Sequence, residues 1–258
     1  MNILDKIIRE KKKAVACAKR NKPLDILIKQ LESLPKARLF KKALNKKGQL
    51  SLIAEIKKSS PSAGIIRKDF NPVRIAKTYQ DAGADCLSVL TEEKFFGGRL
   101  DYIQKIKKEV RLPILRKDFI IDAYQIYESR AYGADAILLI STILPANKIS
   151  EFLKLAKRLN LDCLVECDCL ASLKKALGAG ADIIGINNRD LHNFKVEINR
   201  TKRLIKYIPN NKIIVSESGI KGKKDIEFLK NLGIDAVLIG EAFMRSKNIE
   251  AKIKELFG

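Results

Sequence analysis

Glu55 and Lys57 stand two residues apart in the run Ala54-Glu55-Ile56-Lys57-Lys58-Ser59-Ser60-Pro61-Ser62. On an extended strand that spacing turns both side chains to one face, so a carboxyl and an ammonium can act on one ligand. Similar polar endings close other apolar runs: Leu115-Arg116-Lys117-Asp118-Phe119, Leu164-Val165-Glu166, Gly185-Ile186-Asn187-Asn188-Arg189-Asp190 and Ser216-Glu217-Ser218-Gly219. Ammonium and carboxyl groups gathered in a water-poor site suit general acid-base chemistry. A Lys beside another cation is expected to have a lowered pKa there, and a Glu against apolar walls a raised one. Ser218 has no partner His for nucleophilic work, and the lone His192 reads as a surface residue in a loop.

A second set of residues reads as an anion site. Ser218-Gly219-Ile220 and Ile239-Gly240-Glu241-Ala242-Phe243 place Gly where backbone N–H groups can approach a phosphate closely. Cys163, Cys167 and Cys169 lack the paired knuckles of a zinc site, and His192 shares no motif with them, so no metal is expected.

These side chains need elements to bring them together. The phrase Gly-Ala-Asp or a close variant recurs at Gly83-Ala84-Asp85, Gly133-Ala134-Asp135, Gly180-Ala181-Asp182 and Gly233-Ile234-Asp235. Each copy precedes an apolar run, as expected of a helix that ends on a left-handed Gly and turns tightly into a strand. The copies lie about 50 residues apart, which is two strand-helix units, so four copies imply about eight units. Eight runs read as strands of a parallel sheet buried on both faces: Leu50 to Ile56, Cys86 to Leu90, Pro113 to Arg116, Ala136 to Ile140, Cys163 to Glu166, Ile183 to Asn187, Ile213 to Glu217 and Ala236 to Gly240. Helix starts are expected at Asn71 with Pro72, at Asp122 and at Asp168. The pattern predicts an α/β protein, a single (β/α)8 barrel domain over residues 1–258. No GxGxxG follows the first strand, which disfavours an open dinucleotide-binding sheet.

Residues 1–48 read as a helical extension, with Leu4, Ile7, Ile8, Val15 and Ala18 on one face and a second apolar set at Leu24, Leu27, Ile28 and Leu31. It is expected to cover the catalytic face, the plainer alternative being a plug for one end of the barrel.

Composition limits the remaining classes. The 258 residues carry 51 Lys and Arg against 30 Asp and Glu, a formal charge of +21, but the Lys are spread over nearly every segment. Without a basic stripe interleaved with aromatics, a nucleic-acid partner is not expected. The five Cys do not suggest a disulfide framework. No apolar run approaches the roughly 18 residues that cross a bilayer, and no secretory leader is evident, so a cytoplasmic protein without membrane contact is expected.

Taken together, the segments from Glu55 to Ser62, Leu90 to Gly98, Leu115 to Ile120, Gly185 to Leu191 and Glu217 to Ile220 resemble the indole-3-glycerol phosphate synthase family of tryptophan biosynthesis. The resemblance runs the whole length and implies a cofactor-free carboxy-lyase. Such an enzyme closes the ring of 1-(2-carboxyphenylamino)-1-deoxyribulose 5-phosphate, a phosphosugar, with loss of carbon dioxide and water. By that resemblance Lys117 is the general acid and Glu166 its partner base. Lys57 holds the substrate carboxylate, and Glu55 and Asn187 orient substrate. Phe96 and Phe119 contact the aromatic ring, Ser60, Arg189, Glu217 and Ser218 supply polar lining, and Gly219, Gly240 and Glu241 form the phosphate end. One position departs: where some members carry a phosphate-contacting Lys, this chain has Ser59, which throws the phosphate onto backbone donors, with Glu241 pointing away. A monomer or weak homo-oligomer is expected. The alternatives are another phosphate-binding barrel enzyme and, more remotely, a basic nucleic-acid-binding protein.

Overall fold

A computed structural model of the chain describes residues 3–46, 48–190 and 195–258; His192 lies outside them. Eight parallel strands form a closed barrel: β1 (Ser51–Ile56), β2 (Cys86–Leu90), β3 (Ile114–Lys117), β4 (Ala136–Ile140), β5 (Asp162–Cys167), β6 (Ile183–Asn187), β7 (Ile213–Glu217) and β8 (Ala236–Ile239). Strand β8 pairs back onto β1, from Ser51↔Ala236 to Ala54↔Ile239. The expected (β/α)8 architecture is therefore what the chain adopts.

The alternation within each strand sorts the core. Ile53, Cys86, Leu115, Ala136, Leu138, Leu164, Ile183, Val215 and Leu238 cluster inside the barrel. Their chain neighbours Leu52, Leu87, Ile114, Ile137, Val165, Ile184, Ile214 and Val237 pack outward against the helices. Strand β3 runs one residue later than its sequence suggested, because Pro113 has no N–H for the ladder while the Lys117 carbonyl accepts from Thr91 N at 3.1 Å.

The repeated Gly residues do turn the chain with left-handed backbones, at φ +87° for Gly83 and Gly133, +92° for Gly180 and +74° for Gly233. The Asp that follows has a further use. Asp85, Asp135 and Asp235 each accept the N–H of a residue in the preceding strand, Leu52 at 2.8 Å, Ile114 at 2.9 Å and Ile214 at 2.7 Å. One short phrase thus ends a helix and staples two strand starts.

Ten residues from Asn71's cap form α4 (Pro72–Asp81), where Asn71 Oδ1 accepts Arg74 N at 3.0 Å. Asp122 caps α6 (Ala123–Ala131), the helix after α5 (Asp101–Lys107), and Gln125 completes its capping box. The start expected at Asp168 falls one residue later. Cys169 is the cap of α8 (Leu170–Gly178), because Asp168 is engaged by the Thr142 hydroxyl at 2.8 Å and the Ser172 hydroxyl at 3.0 Å. Helix α7 (Ala146–Arg158) precedes it, and α9 (Asn199–Ile205), α10 (Lys223–Asn231), α11 (Glu241–Arg245) and α12 (Ile249–Phe257) complete the outer layer.

The first helices divide their work between the two ends. The start of α1 (Ile3–Asn21) buries Leu4 and Ile7 in the cluster that holds Phe119, and Lys11 pairs with buried Asp118 at 2.6 Å. Helix α2 (Leu24–Glu32) buries only Leu27, leaving Leu24 and Ile28 each 41% exposed, so its predicted apolar face is largely uncovered. At the opposite end α3 (Phe40–Leu44) inserts Phe40 and Leu44 beneath the strands, with Lys41 N donating to Asp162 at 2.7 Å and Arg38 N to Asp135 at 2.6 Å.

Candidate active site

A cavity of about 710 Å³ opens where the strands end in charged residues. Its polar floor is built by parity. Positions 55, 117, 166, 187 and 217 continue the inward-facing alternation of β1, β3, β5, β6 and β7, so polar side chains replace apolar ones at the last interior level. Lys117 Nζ donates to Glu166 Oε2 at 2.9 Å and to Glu217 Oε2 at 2.7 Å. Lys57 Nζ is paired with Glu55 Oε1. Asn187 Nδ2 donates to the other oxygen of Glu166 at 3.1 Å, and its own Oδ1 accepts Arg189 N at 2.9 Å.

The electrostatics depart from what the residue types suggested. Burial alone would lower the Lys117 pKa, but Glu166, Glu217 and Glu55 surround its ammonium and carry it well above the ordinary value. Burial likewise pushes the Glu55 carboxyl up, yet Lys57 and Lys117 outweigh it and hold it below its usual value. Glu217 goes the other way. Burial raises it to about 7, Lys117 pulls against that, and the neighbouring Glu166 charge adds to the rise. The expectation of a lowered Lys and raised Glu residues is therefore corrected for Lys117 and Glu55 and holds for Glu217, because three carboxyls crowd one ammonium.

One wall is apolar. Phe96 and Phe119 face each other with ring centroids 6.1 Å apart at 40°. Phe96 is set by Glu92, whose buried carboxylate accepts the N–H groups of Lys94, Phe95 and Phe96 at 3.2, 2.7 and 3.1 Å. Phe119 N donates to Asp118 Oδ1 at 2.8 Å, and Asp118 is itself fixed by Arg116 at 3.0 Å and Lys11.

The remaining lining is polar and lies at the ends of β7 and β8. Ser218 (φ +67°) and Gly219 (φ +84°) form successive left-handed positions, and Gly240, Glu241, Ser60 and Arg189 also line the cavity. Glu241 does not turn away as expected: its two oxygens lie 2.9 Å from Arg245 Nε and 3.3 Å from Arg189 Nη2. Lys221, Arg245 and Lys252 line this end too. They were not singled out from the sequence; Arg245, one turn beyond Glu241, carried the only local signal, and Lys252 on α12 carried none. Ser59 is not part of the lining; its hydroxyl lies beside Gly97, and its N donates to Phe96 O at 3.2 Å. Gly240 has a steric duty besides its place in the wall, since a Cβ there would overlap Glu55 Oε1 and lie 2.9 Å from Glu55 Cβ. Every residue read from the sequence as a site candidate, from Glu55 to Glu241, thus borders one cavity.

Among the described residues no three His, Cys, Asp or Glu side chains are grouped to hold a metal ion, and no helix is long and apolar enough to cross a membrane. A closed parallel barrel with acid-base side chains converging at the carboxyl ends of its strands is a (β/α)8-barrel enzyme. The family profile for indole-3-glycerol phosphate synthase matches residues 4–256. The chain belongs to that family, the carboxy-lyases of tryptophan biosynthesis. It is 52% identical to the indole-3-glycerol phosphate synthase of Alkaliphilus metalliredigens over 98% of this chain and 97% of that one. The corresponding protein of Thermoanaerobacter pseudethanolicus is 55% identical over 94% and 92%. The solved 3-hexulose-6-phosphate synthase from Salmonella typhimurium shares the fold, with TM-score 0.61 and 17% identity over 80% of this chain and 96% of that one.

Proposed function

We propose that the chain converts 1-(2-carboxyphenylamino)-1-deoxyribulose 5-phosphate to indole-3-glycerol phosphate by acid-base catalysis on the Lys117, Glu166, Glu217, Lys57 and Glu55 cluster. The observation that carries this reading is Lys117 Nζ shared between Glu166 and Glu217 beside an apolar aromatic wall. The Phe96 and Phe119 rings receive the substrate's aromatic ring, and Lys57 holds its carboxylate. Ring closure joins the aromatic carbon that bears the carboxylate to the ribulose carbonyl carbon, and the carbonyl oxygen gains negative charge. Lys117, protonated at the outset because three carboxyls hold its pKa well above the ordinary value, stabilises that oxygen and gives it a proton.

Carbon dioxide then leaves from the same ring carbon, and its bonding electrons restore aromaticity. Dehydration follows: the new hydroxyl leaves as water with a proton from Lys57, while Glu166 removes the proton from the adjacent carbon. Asn187 fixes Glu166 for this task. The proton Glu166 collects returns to Lys117, its ion-pair partner, and Lys57 regains its proton from solvent, with the Glu55 carboxylate favouring the charged ammonium. The phosphate lies toward Ser218, Gly219 and Gly240, where Lys221, Arg245 and Lys252 add positive charge in place of a Lys at position 59. The start of α1 covers the Phe119 side of the mouth.

The test is direct. The chain has no Trp, so indole formation from purified protein and substrate is visible in emission without a protein background from that residue. A product spectrum is expected; its absence at saturating substrate refutes the assignment.

A further inference from the structure

Glu217 holds Lys117 through Oε2, but its other oxygen, Oε1, is buried and has no hydrogen-bond partner. That oxygen lies against the α-carbon of Gly185, the inward-facing residue one level below Asn187 on β6. A Cβ on Gly185 would overlap Oε1, and it would also stand 3.5 Å from Glu217 Cδ and 3.2 Å from Leu164 Cδ1. The backbone at Gly185 is not left-handed, so conformational freedom does not call for glycine there. The requirement is space.

We propose that Gly185 is a positioning residue: its missing side chain is the slot that seats Glu217 against Lys117 while keeping one carboxyl oxygen away from any donor. The carboxyl that overlaps is the far end of a side chain that can rotate, so filling the slot displaces Glu217 rather than the backbone. Lys117 would then keep Glu166 and lose its second carboxyl. The unpartnered oxygen and the low-dielectric wall around it also fit the raised pKa of Glu217, since nothing there stabilises the carboxylate. Sequence alone had placed Gly185 in the run leading to Asn187 without a task.

This inference rests on the proposed acid-base reading, and its test separates the two. Gly185→Ala should fold, by circular dichroism, and lose tenfold or more in kcat with KM changed less than threefold. In a Glu217→Asp background, whose shorter side chain does not reach the slot, the same substitution should cost less than threefold. A crystal structure of Gly185→Ala should find the Glu217 carboxyl moved out of hydrogen-bond distance of Lys117. An equal kinetic penalty in both backgrounds, or a Glu217–Lys117 contact unchanged in that crystal, overturns the proposal. If Gly185→Ala fails to fold, the double variant must fold, because the overlap is with Glu217; a double variant that also fails overturns it. Should the unaltered chain make no indole product, the functional reading falls, and the crystal structure still decides the role of Gly185.

Discussion

Replacing Glu217 by Gln tests the electrostatics of the site through stability rather than turnover. The Gln amide mimics the protonated carboxyl in size and charge. In the folded chain Glu217 titrates near 7, against 4.5 for the unperturbed group, because burial disfavours its charge. Between those values the folded form binds more protons than the unfolded chain, so stability falls as pH rises through this window. At about 1.4 kcal/mol per unit of that gap, the ionised carboxylate costs the fold roughly 3 kcal/mol above pH 7. Glu217→Gln should therefore match the parent near pH 4.5 and exceed it by roughly 3 kcal/mol at pH 8, which for a domain of this size is a rise of about 6 to 12 °C in Tm. Thermal unfolding of both proteins, followed by circular dichroism at half-unit pH steps, gives the difference curve. Contributions from titrating groups distant from Glu217 cancel in it. A difference that stays flat from pH 4.5 to 8, or a Gln variant less stable at pH 8, would refute the assignment of the raised pKa to Glu217.

Removing the Lys117 ammonium (Lys117→Ala) should lower kcat by roughly 10³- to 10⁴-fold while the far-ultraviolet spectrum stays that of the parent; near-normal turnover would take Lys117 out of the acid role. Arg245→Ala and Lys252→Ala should each raise KM about three- to tenfold with kcat nearly retained, and weaken inhibition by inorganic phosphate. An unchanged KM in both would move the phosphate away from this end of the cavity. Lys11→Met keeps an apolar stem but strips the ammonium from buried Asp118, which then relies on Arg116 and Thr91. The expected loss is about 2 kcal/mol, below the usual cost of breaking a buried pair because Arg116 remains; an unmoved urea midpoint would show that α1 is not held there.

Much of this protein was legible in its local sequence, for identifiable reasons. The Gly of each Gly-Ala-Asp phrase needs a left-handed backbone, and the apolar run after it needs burial on both faces, so strand count and direction follow from short-range chemistry. Strand spacing put Glu55 and Lys57 on one face toward the barrel axis, and the polar ends of the other apolar runs marked Lys117, Glu166, Asn187 and Glu217 as candidates. What stayed illegible depends on neighbours distant in the chain. A Lys in such a site was expected to have a lowered pKa, and only the meeting of three carboxyls around Lys117 reverses that sign. Lys252 joins the cavity through the packing of the last helix, and the cap at Cys169 depends on a Thr from another loop competing for Asp168. The spaces left by Gly185 and Gly240 are filled by carboxyls about 30 and 185 residues away in sequence. Periodicity fixes which way a side chain points, since it is a property of the backbone. Charge state and fit are decided in three dimensions, because Coulomb attraction, desolvation and overlap act through space.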